Sequence, residues 1–311
     1  MKIVTLTMNP SIDMSASIDR VVPNQKLRCS APEYEPGGGG VNVSRAIRHL
    51  EQESLAVFPH NGDACGRLSQ MLEREDVKYE TIPIRNPTRR NLTVVESKTE
   101  QQYRFVFPGP EFSEKEWNAC LDRVSGFDPA PEYLIASGSL PPGVPSDFYA
   151  RLSRAARQQG IKPVIDTKGE ALKRVMEEGA CFIKPNMREL GQLVGEDFDQ
   201  YEHLEQAALD LVREGKFEFI VISLGAGGAV LVTDEKASRF HAPVVPIQNR
   251  VGAGDSMMAG IVLGLMSGWS QEESVLYGIA AGSAAVMTPG SQLCRKEDTE
   301  KLFQKIKEEQ A

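Results

Sequence analysis

Asn249-Arg250-Val251-Gly252-Ala253-Gly254-Asp255-Ser256 stands directly before an apolar helical run from Ser256 to Met266. Small residues let successive backbone N–H groups point into one concavity, and a helix start adds partial positive charge. Gly252, Ala253 and Gly254 therefore read as an anion cradle. Asp255, at its rim, is badly placed to bind an anion but well placed to take a proton from a hydroxyl that attacks one. The competing reading is a capped helix after a flexible turn, and the choice between them depends on what surrounds it.

The surroundings are those of a large globular chain. With 311 residues, 41% of them hydrophobic, it can bury a substantial core. A formal charge of -8 argues against a nucleic-acid partner, so any anionic ligand must be held by a local basic pocket. Cys29, Cys65, Cys120, Cys181 and Cys294 are scattered, odd in number and form no C-x-x-C pair, which reads as reduced thiols in a cytoplasmic protein without zinc. The apolar run after Met1 is too short for a signal peptide. Ser256 to Gln271 falls short of the roughly 20 residues that a membrane span needs, and Ser274 to Cys294 is broken by Pro289, so both read as buried core helices rather than spans.

Strand-like runs at Ile3–Thr7, Ser54–Phe58, Tyr133–Ala136, Lys162–Asp166, Phe182–Lys184, Phe219–Leu224 and Val230–Thr233 alternate with helical patterns. The helices are expected at Val41–Leu50, Gly66–Glu75, Ser146–Gln159, Met187–Leu193, His203–Arg213, Ser256–Met266, Gln271–Met287 and Asp298–Glu309. That alternation predicts a mainly parallel sheet covered on both faces. Met14–Val22 with Leu27–Tyr34, and Leu92–Ser97 with Gln102–Phe107, break the rhythm and predict a small separate sheet that covers a ligand, pairs with a second subunit, or both.

Further polar and glycine-rich elements fall between these segments. Gly37-Gly38-Gly39-Gly40 leads into a helix that carries Asn42 on its first turn, so backbone can approach a ligand closely while Asn42 offers a donor and an acceptor. Asp13 follows the first strand, at the edge where open α/β sheets bind ligands, although a solvated turn residue has the same look. Lys26, Arg28, Arg89, Arg90 and Arg104 gather basic charge in the small sheet, either as a solvated surface or in part as a fork for a phosphate. Ser137-Gly138-Ser139-Leu140-Pro141-Pro142-Gly143 follows a strand and offers a third wall. Lys184-Pro185-Asn186-Met187-Arg188-Glu189 ends a strand and starts a helix, where Asn186 and Glu189 either orient the water shell of Mg²⁺ or form an N-cap with a glutamate three residues on. Ser223-Leu224-Gly225-Ala226-Gly227-Gly228 fails the dinucleotide fingerprint because no helix follows, and fits a tight hairpin beside a nucleotide.

In this order, Gly-Gly near Gly38, Lys-Pro-Asn-x-x-Glu from Lys184 and Gly-Ala-Gly-Asp from Gly252 together resemble the ribokinase superfamily of carbohydrate kinases, the phosphofructokinase B family, over nearly the whole chain. Within it the chain is similar to the phosphosugar branch, with Gly39 standing where relatives that act on other phosphosugars carry a lysine. The resemblance implies a ribokinase-like three-layer α/β/α sandwich formed by residues 1–311 as one domain, with a β lid at about 14–35 and 88–107. It also implies a cytoplasmic homodimer joined through that lid. The expected reaction is phosphorylation of fructose 6-phosphate at O1 by ATP. Kinases for fructose 1-phosphate or tagatose 6-phosphate are the near alternatives, and a silent sugar-phosphate sensor the remote one.

Carried over residue by residue, the resemblance makes Asp255 the general base and Gly252, Ala253 and Gly254 the anion hole. Asp13, Gly38, Gly39 and Asn42 would hold sugar hydroxyls, and Lys26, Arg89, Arg104 and Ser139 would meet the 6-phosphate. Lys184, Asn186 and Glu189 would serve MgATP, with Glu189 acting on Mg²⁺ through water, and Ser223, Gly225 and Gly228 would line the nucleotide. A loop for a monovalent cation, K⁺, would comprise Asn249, Val251, Ala285, Thr288, Gly290 and Gln292. Arg250 departs from the small or hydroxyl residue usual just before the anion hole.

Overall fold

The computed structural model describes residues 1–61, 66–194, 201–290 and 292–310, so Cys65 lies outside the described residues. In chain order the first half contains β1 (Ile3–Leu6), β2 (Ser11–Ile18), β3 (Glu33–Gly37), α1 (Gly39–His49), β4 (Leu55–His60), α2 (Arg67–Arg74), β5 (Lys78–Pro83), β6 (Arg89–Glu96), β7 (Gln102–Phe105), α3 (Glu114–Ser125) and β8 (Tyr133–Ser137). The second half contains α4 (Phe148–Gln158), β9 (Lys162–Asp166), α5 (Gly169–Glu178), β10 (Ala180–Ile183), α6 (Met187–Val194), α7 (Tyr201–Arg213), β11 (Phe217–Ser223), β12 (Ala229–Val232), β13 (Ala237–Phe240), α8 (Ala253–Met266), α9 (Gln271–Val286) and α10 (Lys296–Gln310).

Nine strands form the main sheet in the order β13-β12-β11-β10-β9-β8-β1-β4-β5. The run from β11 to β5 is parallel, and β12 and β13 join its edge antiparallel. Strand residues alternate, for the most part, between two cores. Val4, Leu6, Leu134, Ala136, Ile220 and Ile222 pack with α3, α4, α5, α6 and α7 on one face. Ile3, Tyr133, Ile135, Phe219 and Val221 pack with α1, α8, α9 and α10 on the other. A period of two that is apolar on both sides is what a sheet buried between two helical layers requires, and the result is the three-layer α/β/α sandwich.

The small sheet is four-stranded, in the order β3-β2-β6-β7. Its register sorts side chains by face. Ser11, Asp13 and Ser15 lie beside Arg89, Asn91 and Thr93 on a polar face, while Tyr34, Met14, Leu92 and Phe105 form an apolar row on the other.

Several expectations need correction. The strand expected at Leu27–Tyr34 lies instead at Glu33–Gly37, and β2 begins at Ser11 rather than Met14, so Asp13 is a strand residue and not a loop residue. Pairing explains both shifts, because Ser11 to Ser15 run antiparallel to Glu33 to Gly37 and must be extended to do so. The strand β5, the antiparallel edge strand β13 and the helices α3 and α5 were not anticipated. Edge strands such as Lys78–Pro83 are half polar and lack a clean apolar run. The start of α3 did carry a signal, a capping box between Ser113 and Glu116.

Candidate active site

Parallel strands bring all their C-terminal ends to one edge of the sheet. The chain turns from one side of the sheet to the other between β1 and β8, which is where open α/β sheets place ligands. Asn9 follows β1 and Ser139 follows β8, and the Asn9 Nδ2 donates to Ser139 Oγ at 3.1 Å. Asp166 ends β9, Lys184 follows β10, and Ser223 ends β11. The glycine run enters this edge because nothing larger fits. A Cβ on Gly39 would lie 2.2 Å from Ser137 Oγ, and one on Gly40 would lie 2.6 Å from the Leu6 carbonyl oxygen. Gly38 caps α1 at a φ of 110°.

Helix α8 starts at the same edge. Its N-cap, Gly252, has a φ of 77°, and a Cβ there would meet Leu293 Cδ2 at 2.2 Å. The first backward bond runs from Ser256 N–H to the Gly252 carbonyl at 2.8 Å. The amides of Ala253, Gly254 and Asp255 thus belong to the first turn, where a helix offers no internal acceptor. Asp255 is half-buried beside them. Asn42 on α1 donates from Nδ2 to Asp255 Oδ2 at 2.9 Å, joining the first glycine loop to this helix start. Burial raises the Asp255 carboxyl to about 6, against the Asn42 hydrogen bond and the Lys184 charge and with the charge of Asp166 reinforcing it.

Lys184 is buried, and its Nζ lies 3.2 Å from Asp166 Oδ2. Burial works to lower its pKa, but Asp166 and then Asp255 outweigh that and the net shift is upward, so the ammonium stays charged. The same Nζ would lie 3.4 Å from a Cβ on Gly254, which places the cation over the anion cradle.

A cleft of about 460 Å³ opens from the cradle. Gly225, Gly228, Val245, Ala253 and Met257 line it among others, and Ser223 stands at its wall. It is predominantly apolar, suited to a flat heteroaromatic group with polar atoms at one end. Asn186 and Glu189 sit just before and on α6. Glu189 N–H donates to Asn186 Oδ1 at 2.9 Å and Asn186 N–H donates to Glu189 Oε2 at 3.0 Å, which is the reciprocal capping arrangement.

A second hollow, of about 680 Å³, is lined by Asn9, Arg89, Phe107, Ser139, Thr167 and Lys168 among others. Arg89 donates from Nη1 to the Phe107 carbonyl at 3.1 Å and from Nη2 to the Asn9 carbonyl at 3.1 Å. Its buried Nε and the buried Asn9 Oδ1 have no hydrogen-bond partner among the described residues. Unpaired buried polar atoms on the wall of a hollow are what a polar ligand completes. Asp13 shares the polar face with Arg89, and its Oδ1 accepts from Ser11 Oγ and Asn91 Nδ2, both at 2.8 Å.

Two expected residues are not brought here within the chain. Lys26 lines a separate hollow with Arg20 and Arg28, because β2 leads away from the site to Ile18 and the following loop continues from that far end. Arg104 shares the polar face but stands exposed on the outermost strand, opposite Thr93, and lines neither cleft. In the expected cation loop the polar side chains are already engaged. Asn249 Oδ1 accepts from the amides of Arg250 and Val251, at 2.7 and 3.2 Å, and Thr288 Oγ1 donates to the carbonyls of Ala285 and Leu293. Gly290 faces Glu35, whose Oε1 would lie 3.4 Å from a Cβ there, and Gln292 takes a hydrogen bond from Arg295.

Sequence reasoning missed Asn9, Thr167 and Asp166. Each stands just beyond or at the end of a parallel strand, so the edge rule that kept Asp13 could have found them. The apolar wall at residues 242–247 carried no comparable signal.

The family model for pfkB family carbohydrate kinases matches residues 4–298. The chain is 41% identical, over 97% of its length and 89% of the relative's, to ATP-dependent 6-phosphofructokinase isozyme 2 of Mycobacterium tuberculosis. It is 40% identical to the isozyme 2 of Escherichia coli, over 97% of this chain and 98% of that one. The crystal structure of phosphofructokinase-2 from Escherichia coli in complex with potassium superposes with a TM-score of 0.93 at 39% identity, covering 98% of this chain and 99% of that chain. A glycine-bound helix start carrying Asp255, reached by Asn42 from the first glycine loop, is thus found in a chain that belongs to the pfkB family of carbohydrate kinases.

Proposed function

We propose that this protein is an ATP-dependent 6-phosphofructokinase that transfers the γ-phosphoryl group of ATP to O1 of fructose 6-phosphate. The observation that carries the reading is the start of α8, where three first-turn amides and the raised carboxyl of Asp255 stand together at the mouth of the apolar cleft. The likeness to two 6-phosphofructokinases across almost the whole chain supports the choice of substrate.

The residues divide the work as follows. ATP lies in the apolar cleft with Ser223, Gly225 and Gly228 along it, and its γ-phosphate meets the amides of Ala253 and Gly254. The sugar lies against Gly38, Gly39, Asn42 and Asp13, with its 6-phosphate at Arg89 Nε and Ser139. Asp255 takes the proton of the 1-hydroxyl as that oxygen bonds to the γ-phosphorus and the bond to ADP breaks. Charge building on the phosphoryl oxygens is met by fixed amide donors and by Lys184, which need no reorganisation at the moment of transfer. Mg²⁺ neutralises phosphate oxygens when bound, and Asn186 and Glu189, both oxygen-bearing side chains at the edge of the cleft, would orient its water shell. A K⁺ would have to rely on main-chain carbonyls of the 249–251 and 285–292 loops, since Asn249 and Thr288 spend their side chains locally.

The apolar row Tyr34, Met14, Leu92 and Phe105 supports a second role for the small sheet as the face on which two copies pack, while its polar face serves the sugar. The substrate assignment is tested by coupled assays on fructose 6-phosphate, fructose 1-phosphate and tagatose 6-phosphate. The expected result is the highest kcat/KM on fructose 6-phosphate, and a value well below either competitor would overturn the assignment.

A further inference from the structure

Behind Asn42 lies a charged cluster for which phosphoryl transfer has no direct use. Arg45 on α1 is 2% exposed. Its Nε and Nη2 donate to the two carboxylate oxygens of Glu75 at 2.7 and 2.8 Å. Its Nη1 donates to the Pro36 carbonyl at 3.2 Å and to Asn42 Oδ1 at 3.4 Å. His49, one turn further along α1, places Nε2 3.5 Å from Glu75 Oε2 and Nδ1 3.2 Å from the Cys294 carbonyl oxygen. Burial would raise the Glu75 carboxyl, but hydrogen bonds from His49 and Arg45 outweigh it and hold the group at about 2.

A guanidinium has donors and no acceptor. The Asn42 atom that faces Arg45 must therefore be its oxygen, which turns the amide nitrogen toward Asp255. The reversed amide would set N–H against the guanidinium and oxygen against the Asp255 carboxylate, two repulsive contacts in place of two hydrogen bonds. Pro36 lies in β3, whose end at Gly37 runs into α1, so the same guanidinium also grips the root of the small sheet.

We infer that Arg45, clamped by Glu75, is a positioning residue for Asp255: it fixes the orientation of the Asn42 amide and ties that setting to the Pro36 carbonyl where the small sheet joins the main one. This rests on the kinase reading above. The Arg45 charge also lowers the Asp255 carboxyl directly, a contribution that a lysine keeps. Its positional effect runs through Asn42, involves contact with neither substrate, and makes the geometry of the base depend on the seat of the small sheet.

The test is a double-mutant cycle. Arg45→Lys keeps the charge but cannot reach Glu75, Pro36 and Asn42 together, and Glu75→Gln keeps the length of the clamp while removing its charge. Each single variant is expected to lower kcat on fructose 6-phosphate, by about 10-fold to 100-fold for Arg45→Lys, as small misplacements of reacting groups do. The Kd for ATP measured by calorimetry without sugar is expected to stay at the wild-type value, which also shows that the variants are folded. In an Asn42→Ala background, Arg45→Lys is expected to change kcat by less than about 2-fold, because a residue acting through another has nothing left to act on. If Arg45→Lys fails to bind ATP, Glu75→Gln takes its place in the same cycle. Wild-type kcat in the folded single variants, or losses that multiply in full on Asn42→Ala, would overturn the inference. A wild-type enzyme with no turnover of any phosphosugar would instead overturn the kinase reading, and with it the base that Arg45 positions.

Discussion

Asp255 is the residue on which the proposed chemistry turns, and its carboxyl is raised to about 6 by burial. As a base it works ionised, so kcat/KM on fructose 6-phosphate is expected to rise with pH, reach half its plateau near pH 6 and stay level above. A profile flat from pH 5 to 8 would contradict the assignment. The same shift has a consequence for stability. A folded-state pKa above the usual 3.8 means that the ionised form is disfavoured in the fold, so this contribution is complete below about pH 4 and is lost as pH rises through about 6. Asp255→Asn is therefore expected to cut kcat by at least about 100-fold while leaving Tm at pH 7.5 unlowered. Calorimetric scans and rate measurements on one preparation check both, and a variant that loses Tm along with activity would point to a structural role. Glu75 behaves in the opposite sense. With its carboxyl held at about 2, its contribution is present above about 4.5 and lost as pH falls toward 2, and acid unfolding of Glu75→Gln is expected to lack that component.

At the scale of elements, the glycine-led helix starts were legible in the sequence because small residues before an apolar helix leave few other readings. What the sequence did not show is the reason for each glycine. Gly39 is forced by the side chain and carbonyl carbon of Ser137, which lies on β8, nearly a hundred positions away. Gly39→Ala is expected to destabilise the fold by about 1–3 kcal/mol, as overpacking does, and Ser137→Gly in the same chain to recover part of it, since the side-chain atoms go but the Ser137 carbonyl carbon, 2.9 Å from the added Cβ, stays. Denaturant unfolding of both variants measures this, and additive losses would contradict the packing account. Asn186 and Glu189 show the limit from the other side. Their spacing suits either a cap or a metal's water shell, and the capping geometry leaves the second role to be tested by Mg²⁺ titration of Glu189→Gln, whose apparent Mg²⁺ requirement is expected to rise. The alternation that predicted the main sheet was strong because both faces are buried, whereas β5 and β13, at its two edges, carry weak patterns for the same physical reason.

At the scale of the whole molecule, the small sheet presents Tyr34 and Phe105 at 37% and 50% exposure in one apolar row. Large exposed apolar groups in a continuous row mark a surface that another body covers. With two copies packed on this face as proposed, Phe105→Asp is expected to lower the mass to that of a monomer in sedimentation velocity, and a mass unchanged from wild type would show that the copies meet elsewhere or not at all. Lys26 belongs to this scale too, since its loop is carried to the far end of β2 and cannot join Arg89 within one chain. A one-dimensional reading groups residues by kind; only the direction of β2 separates these two cations.

The most direct measurement is a crystal structure of the enzyme with fructose 6-phosphate and a non-hydrolysable ATP analogue bound together. The account predicts the sugar's O1 within hydrogen-bond reach of Asp255, about 3 Å, with the terminal phosphate over the amides of Ala253 and Gly254. An Asp255 carboxylate more than about 6 Å from O1 in the closed complex, well beyond that reach, would contradict it.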